Sequence, residues 1–294
     1  MKLLLTGKNG QLGFELQRAL SELGEVIAWD VDDCDLRDEA AVRRLVREVR
    51  PDVIVNPAAY TAVDQAERDV DAAQAVNARA PAVLAEEAQT LGALMVHYST
   101  DYVFDGTLTR PYLESDAPAP ISVYGASKLA GEQAVGAHCE RHLTLRTSWV
   151  VGAHGGNFVK TMLRLAQERD HLSVVSDQLG APTSASWLAD LSAHLVRQAQ
   201  RTSKSFPYGL YHASASGVTD WHAYACHVIE RARAAGRPVR VAPEAIQPIT
   251  SAQYPTEARR PLNSRLDTGL LQATFGLQPP DWKTGVDHIL NQLL

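Results

Sequence analysis

The sequence predicts an α/β protein built on a doubly wound parallel sheet, with a smaller C-terminal lobe beside it. Short apolar runs with few polar residues alternate with helix-like segments through the first half of the chain. Apolar runs of this kind are typical of parallel strands that are buried on both faces. A glycine-rich turn, Gly7–Gly13, joins the first run to the first helical segment. Together these features predict a sheet with helices packed on both of its faces.

Five strands are predicted from the apolar runs. A residue that ends or breaks a helix precedes three of them, namely Gly24, Pro51 and Gly92. The predicted strands are Leu3–Leu5, Val26–Trp29, Val53–Val55, Leu94–Tyr98 and Leu143–Thr147.

Helical spacing of apolar residues predicts eight main helices. They are Gln11–Leu23, Ala40–Val49, Ala72–Leu91, Val123–Ala137, Asn157–Glu168, Ala185–Ala199, Trp221–Ala235 and Trp282–Leu294. Between the last two, Val241–Pro261 is rich in Pro, Ser and Thr and is predicted to be a loop. The strand–helix alternation loosens after Thr147. We therefore expect residues 1–150 to form the main domain, with some later segments returning to it, and residues 151–294 to form mainly a ligand-covering lobe.

Composition narrows the class of function. The chain has 294 residues, 45% of them hydrophobic and 21% charged, with a formal net charge of -6. A nucleic-acid partner is disfavoured because such proteins usually carry a basic surplus. No run approaches the ~20 apolar residues that span a membrane. The three cysteines are few and widely spaced, which favours a reducing, cytoplasmic location without disulfides.

The turn after the first strand has glycines in the pattern G-x-x-G-x-x-G. Gly7 permits a tight turn, Gly10 lets backbone approach a pyrophosphate, and Gly13 allows close packing of helix on strand. The following helix directs its N–H groups and positive dipole end at the anion. A Gly-rich turn without a ligand is the simpler alternative, but the strand–turn–helix context favours a Rossmann-type dinucleotide site in residues 1–150. Lys8-Asn9 does not match a nucleotide-hydrolysing P-loop.

Asp30 ends the second predicted strand, near the ~20-residue offset at which an acid meets the adenosine ribose. A carboxylate there accepts hydrogen bonds from the 2′-hydroxyl and repels a 2′-phosphate. The next residues are Val31-Asp32-Asp33, with no arginine among them. The residues therefore favour NAD over NADP, although a solvated aspartate at a strand end is the simpler alternative.

Tyr124 and Lys128 lie four residues apart at the start of a predicted helix, and so share one face. A nearby ammonium is expected to lower the pKa of the phenol from ~10, and the tyrosine can then pass a proton to a carbonyl oxygen while hydride reaches the carbon. Ser99 and Thr100 follow the fourth strand, where ligands bind in open parallel sheets. The pair alone is often a solvated helix face, and Thr100 alone could be a cap. The expected order of the motifs favours a catalytic site.

Further stretches form a set with these motifs. They are Pro51–Asn56, Ala58–Asp64, Ser99–Gly106, Arg146–Val150, Asn157-Phe158, Asp177-Gln178, Gly180–Thr183, Arg260-Pro261 and Asn263-Ser264. With Gly7–Gly13 and Tyr124–Lys128, they resemble the dTDP-4-dehydrorhamnose reductase family of extended short-chain dehydrogenases, along nearly the whole chain. The glycine and Tyr/Lys motifs occur throughout that superfamily, whereas the Ser99, Arg146 and Asp177 stretches are far more specific to the family.

This resemblance implies reduction of the C4 ketone of dTDP-4-dehydro-L-rhamnose to dTDP-L-rhamnose by NADH or NADPH, for surface polysaccharide. It implies that Tyr124 is the acid, Lys128 its modulator and Thr100 the hydroxyl that tunes it. It places Thr100, Asp101 and Trp149 on the sugar, and Arg260 is a candidate for the diphosphate. Core packing is the alternative for Trp149, and a surface salt bridge is the alternative for Arg260. The implied dinucleotide-site residues are Gly7, Gly10, Gln11, Leu12, Gly13, Asp30, Asp35, Leu36, Ala59, Tyr60, Thr61, Tyr124 and Lys128.

Two other functions stay open at this point. One is a sugar–nucleotide epimerase or dehydratase of the same superfamily, which would retain and recycle its dinucleotide. The other is a non-catalytic subunit like the regulatory β subunit of methionine adenosyltransferase, although an intact Thr100, Tyr124 and Lys128 argue against it. Some relatives form a magnesium-bridged dimer, but Ser186 stands where a second acid is expected. We therefore expect no metal site, and a monomer or homodimer that binds a nucleotide sugar.

Overall fold

The computed structural model describes all 294 residues and confirms the predicted α/β class. Six of its strands form one parallel sheet, and six short strands form three two-stranded sheets. The strands are β1 (Lys2–Leu5), β2 (Glu25–Ala28), β3 (Val53–Asn56), β4 (Leu94–Thr100), β5 (His142–Thr147), β6 (Val150–Val151), β7 (Leu172–Val175), β8 (Leu179–Gly180), β9 (Thr183–Ser184), β10 (Gly209–His212), β11 (Thr219–Asp220) and β12 (Ile246–Ile249).

Eleven α-helices accompany these strands. They are α1 (Gln11–Ser21), α2 (Glu39–Val49), α3 (Val63–Ala66), α4 (Val70–Gln74), α5 (Ala80–Leu91), α6 (Val123–His138), α7 (Phe158–Glu168), α8 (Ala185–Arg201), α9 (Trp221–Ala234), α10 (Gly269–Phe275) and α11 (Trp282–Leu293). None of the helices is both long and apolar enough to cross a membrane.

The main sheet has the order β2-β1-β3-β4-β5-β10, and all of its strands are parallel. One face packs against α1 and α8, and the other against α2, α5 and α6. Alternate residues of the strands supply the two cores, as Leu3 and Leu4 do on β1. The strand order reverses between β1 and β3. Ligands bind beyond the carboxyl ends of the strands at such a reversal.

A separate hydrophobic core lies in the C-terminal part of the chain. It is formed by α7, α9 and α11 with the two-stranded sheet of β7 and β12. However, α8 packs on α1, and β10 extends the main sheet beside β5. These two later segments therefore belong to the first core, and the division near residue 150 stays a prediction.

The predicted loop Val241–Pro261 is wrong in one part. Residues Ile246–Ile249 form β12, which pairs in parallel with β7. Pro248 is compatible with this strand because the sheet has only two strands, so an edge position needs no N–H from it. The burial of Ile246 against the second core outweighs the turn-like composition around it.

The predicted helix Ala72–Leu91 is also interrupted. The residues Ala75–Arg79 between α4 and α5 are π-helical, a distortion that is frequent at functional sites. The bulge contains the buried Asn77, whose amide exchanges hydrogen bonds with the backbone of Tyr60 and donates to the Ser127 hydroxyl on α6. It therefore ties the loop after β3 to the helix that carries the Tyr/Lys pair.

Candidate active site

A cleft of about 670 Å³ opens at the carboxyl ends of β1 and β3, where the strand order reverses. All thirteen residues that the sequence suggested for the dinucleotide line it. These are Gly7, Gly10, Gln11, Leu12, Gly13, Asp30, Asp35, Leu36, Ala59, Tyr60, Thr61, Tyr124 and Lys128. The fold thus brings the glycine turn and the Tyr/Lys pair, which are far apart in the sequence, to one cavity.

The glycine turn is shaped so that only glycine fits at its ends. Gly7 has a φ of 61°, in the left-handed region that favours glycine. A Cβ at Gly13 would lie 1.9 Å from the carbonyl oxygen of Gly7, so a side chain there would force the turn apart. The first turn of α1 lines the cleft beside it. This cradle fits a pyrophosphate, which helix N–H groups and the helix dipole stabilise.

Gln11 holds a second loop against the glycine turn. Its Oε1 accepts from the backbone N–H of Gly152 and from the side-chain amide of Asn157, both at 2.9 Å. Its Nε2 donates to the carbonyl of Val150 at 3.3 Å. The neighbouring Gly155 and Gly156 line the cleft. The side chain of Gln11 therefore closes one wall of the site.

The acidic residues at the adenosine end have protein partners of their own. Asp30 accepts from the backbone N–H of Asn9 at 2.9 Å, which joins β2 to the glycine turn. Asp35 forms a two-point ion pair with Arg37, and this guanidinium lowers the pKa of the Asp35 carboxyl. Arg37 also lines the cleft, so a cation does stand at this end of the site.

Tyr124 and Lys128 lie on the first two turns of α6. The helix begins at Val123, and Ser122 caps it by accepting from the N–H of Gly125 at 3.1 Å. Gly125 has no room for a Cβ, which would lie 2.2 Å from the carbonyl oxygen of Tyr102. This close approach seats the start of α6 on the segment after β4. The buried Lys128 ammonium donates to the carbonyl of Tyr98 at 2.6 Å.

The expectation that Lys128 lowers the pKa of Tyr124 is wrong. Burial raises the pKa of Tyr124 to about 12, and a contact from the Thr100 hydroxyl only opposes this shift. Burial lowers the pKa of Lys128 to about 8, which the Glu132 carboxylate one turn along α6 opposes. Desolvation of the buried phenol is the largest cause of the raised pKa, and the Lys128 ammonium donates instead to the carbonyl of Tyr98. The phenol is therefore neutral at pH 7, the form that a proton donor needs.

The two predicted sugar contacts at the end of β4, Thr100 and Asp101, are both buried, and neither lines the cleft. Thr100 donates to the Asp101 carboxylate at 3.1 Å and accepts from the N–H of Tyr102 at 3.2 Å. Burial raises the pKa of Asp101 to about 6. The structure thus places Thr100 between the Tyr124 phenol and a carboxylate. The cap suggested as an alternative for Thr100 is also present.

Trp149 and Arg260 do not line the cleft. Trp149 is half-buried after β5, between Thr147 and Val150, which do line it. Arg260 forms a two-point ion pair with Asp64 at 2.7 and 3.1 Å, which matches the salt bridge considered as its alternative. Its side chain is 22% exposed, so part of the guanidinium remains accessible.

Besides the thirteen suggested residues, seventeen others line the cleft, and five of them shape it at its two ends. They are Arg37, Thr147, Val150, Gly155 and Gly156. Arg37 lies two residues after Asp35, beyond the Val31–Asp33 segment that contains no arginine. The two adjacent glycines before Asn157, which caps α7 by accepting from the N–H of Lys160, were the one available signal for the second loop.

Comparison with known proteins agrees with this geometry. A family model described as the RmlD substrate binding domain matches residues 1–294. The dTDP-4-dehydrorhamnose reductase of Escherichia coli K12 is 51% identical over 297 residues, which cover 100% of this chain and 98% of that protein. The enzyme of the same name from Burkholderia thailandensis is 47% identical over 296 residues, covering 100% of this chain and 99% of that protein.

A solved structure shares the whole fold. The dTDP-4-dehydrorhamnose reductase of Bacillus anthracis in complex with NADP superposes with a TM-score of 0.90 and 37% sequence identity, covering 99% of each chain. The family model and both relatives extend over the full chain. The chain belongs to the dTDP-4-dehydrorhamnose reductase family.

Proposed function

We propose that this protein reduces the C4 ketone of dTDP-4-dehydro-L-rhamnose to dTDP-L-rhamnose with NADPH or NADH, in the formation of activated rhamnose for polysaccharide. The observation that carries the proposal is the convergence of Tyr124 and Lys128 with the glycine cradle in one cleft, in a chain of this family. The relatives named dTDP-4-dehydrorhamnose reductase support this choice of substrate.

The residues of the chain have distinct parts in this reaction. When bound, the reduced dinucleotide supplies hydride to the carbonyl carbon. The neutral phenol of Tyr124 donates a proton to the carbonyl oxygen, and the Thr100 hydroxyl beside it orients that phenol. Lys128 supplies the positive charge next to the oxygen as negative charge develops there. Thr100, Asp101, Trp149 and Arg260 are proposed to hold the nucleotide sugar.

The test is to incubate the purified protein with dTDP-4-dehydrorhamnose and each reduced dinucleotide, and to follow the nicotinamide absorbance. We expect one dinucleotide to be oxidised for each dTDP-L-rhamnose formed. Conversion of the sugar without net oxidation, in protein that carries tightly bound dinucleotide, would instead identify an epimerase or dehydratase. The absence of any conversion would reject the proposal.

The alkaline limit of activity is expected to follow Lys128. Burial lowers its pKa to about 8, so the ammonium is largely present at pH 7 and is lost as the pH rises through that value. We expect kcat to fall about tenfold per pH unit above the pKa. Enzyme that is held at high pH and then assayed at pH 7 controls for denaturation. An activity that stays flat to pH 10 would contradict the role of Lys128.

The choice between NADPH and NADH is expected to depend on Arg37. Its guanidinium stands at the adenosine end of the cleft, where it can pair with a 2′-phosphate. In Arg37→Ala the Asp35 carboxylate loses its partner and repels that phosphate. We expect KM for NADPH to rise by about threefold to tenfold, and KM for NADH to change less than about twofold. Steady-state kinetics with both dinucleotides measure this.

Arg44→Ala provides a matched control, because Arg44 lies on α2 and does not line the cleft. If Arg37→Ala changes KM for NADPH and KM for NADH equally, Arg37 does not distinguish a 2′-phosphate from a 2′-hydroxyl.

A further inference from the structure

Trp149 has an unusual backbone conformation. Its φ is 48°, in the left-handed region that only two non-glycine residues of this chain adopt, and which is rare for a bulky side chain. Such a conformation is strained and persists only when the surrounding structure imposes it. The residue stands between two residues that line the cleft, Thr147 and Val150. Contacts from neighbouring residues must therefore hold Trp149 in this conformation.

The first support is Gly180 in β8. A Cβ at this position would lie 2.6 Å from Cε2 and 2.7 Å from Cζ2 of the Trp149 indole. The indole thus occupies the space that any side chain at 180 would need. The backbone is fixed nearby, because the N–H of Thr183 donates to the carbonyl of Trp149 and the Ser148 hydroxyl donates to the carbonyl of Ala181 at 3.0 Å.

The second support is Trp221 at the start of α9. Its ring stacks on that of Trp149, with 3.7 Å between the centroids and 15° between the planes. The Nε1–H of Trp221 donates to Oε1 of Gln178 at 3.1 Å. The buried Gln178 donates in turn to the hydroxyl of Ser251 at 2.9 Å, and that hydroxyl donates to Asp177 at 2.6 Å. The Trp221 ring is therefore itself held in place by a chain of hydrogen bonds.

These contacts explain the Asp177–Gly180 part of the sequence motif, which the geometry of the cleft leaves unexplained. Asp177, Gln178 and Gly180 belong to the family-specific stretch, yet none of them lines the cleft. Gly180 instead lies against the Trp149 indole, Gln178 reaches it through Trp221, and Asp177 is joined to Gln178 through Ser251. Trp149 itself is half-buried, so part of its indole remains accessible. An indole of this kind presents an apolar ring and one N–H donor to a polyhydroxyl ligand.

We propose that Gly180, Gln178 and Trp221 are positioning residues that hold the Trp149 indole ready for the sugar of the nucleotide-sugar substrate. The proposal rests on the proposed function, which supplies the sugar. A ring that is fixed before binding loses little rotamer entropy when the sugar binds. The favourable contact between ring and sugar is therefore not offset by the cost of ordering the ring. The left-handed backbone of Trp149 is the strain that the motif compensates.

The test is a double-mutant cycle between Gly180→Ala and Trp149→Ala, in which residues that act through one another are not additive. We expect Gly180→Ala to raise KM for the sugar nucleotide by about tenfold, with KM for the dinucleotide within about twofold. In the Trp149→Ala background, Gly180→Ala should add less than about twofold. Equal losses in both backgrounds, or no loss in Gly180→Ala alone, would overturn the proposal.

Three further measurements separate positioning from general damage. Gly136→Ala on α6 is the matched glycine control, because the nearest atom to its added Cβ would be 3.8 Å away. Trp221→Phe keeps a stacking ring and should lose less affinity than Trp221→Ala. Affinity for dTDP-L-rhamnose, measured by calorimetry in the same variants, reports on Trp149 without turnover. It therefore distinguishes failure of this inference from failure of the proposed reaction.

Discussion

Tyr124→Phe is expected to lower kcat by about a thousandfold, because general acid catalysis by a positioned group contributes about 10²–10⁴ to the rate. The substitution removes only the phenolic oxygen and leaves the ring on α6, where it contacts Tyr102 edge-on with 5.5 Å between the centroids. Dinucleotide affinity should change by less than about twofold, since the glycine cradle is untouched. Steady-state kinetics and a dinucleotide titration of the same preparation measure both effects.

Tyr102→Phe serves as the control for this prediction. It removes a second, nearby phenol whose pKa is likewise raised by burial, in a residue whose hydrogen bond to the Thr100 hydroxyl comes from the backbone N–H. We expect it to lower kcat by less than about tenfold. Near-normal turnover in Tyr124→Phe, or equal losses in the two variants, would mean that Tyr124 is not the acid.

Arg146→Met is expected to destabilise the protein by about 3–5 kcal/mol, because it leaves one charge of a buried ion pair without its partner. Arg146 on β5 and Glu132 on α6 are 3% and 7% exposed and form a two-point pair, with 2.9 Å between Nε and Oε2. The guanidinium also lies 5.0 Å from the ring centroid of Phe104. Chemical denaturation should show the loss, and Tm should fall by on the order of 10 °C.

Two comparisons make this prediction specific. Adding Glu132→Gln to Arg146→Met removes the uncompensated charge and should recover a large part of the lost stability. Arg164→Met breaks an exposed pair with Glu168 on α7 and should cost about 0.5 kcal/mol or less. If Arg146→Met costs no more than Arg164→Met, the buried pair does not stabilise the fold.

The position of this pair connects stability to the proposed chemistry. Glu132 lies one turn beyond Lys128 on α6, and its carboxylate opposes the loss of the Lys128 proton caused by burial. Arg146 lies on β5, the strand whose carboxyl end leads to Trp149. The pair therefore joins the helix of the Tyr/Lys residues to the strand of the proposed sugar contact. The Arg146–Val150 stretch, family-specific in the sequence, acquires a structural explanation here.

Much of the dinucleotide site could be predicted because its elements are local. The glycine turn is read from three residues within one strand–turn–helix unit, and all three line the cleft. Tyr124 and Lys128 share a face because the helical period places residues four apart together. Helix bounds were also close where a cap exists, as at Asn157 before α7 and Asp220 before α9.

The predictions that failed depend on contacts between distant segments. The strand β12 lies in a stretch with turn-like composition, and its pairing with β7 and the burial of Ile246 decide its conformation. The direction of the Tyr124 pKa shift was wrong because spacing identifies the nearby charge but not the depth of burial. Arg37 was missed because its place at the cleft depends on how the turn after β2 folds back.

The sequence by itself determined the parallel α/β architecture, the glycine cradle and the Tyr/Lys face, because periodicity and glycine geometry act over a few neighbouring residues. Only the tertiary structure decided which residues meet across the chain. It placed the indole of Trp149 against Gly180 and Trp221, and it enclosed Arg146 with Glu132. Such contacts depend on close packing between elements, where a single added carbon or an unpaired charge changes the energy by several kcal/mol.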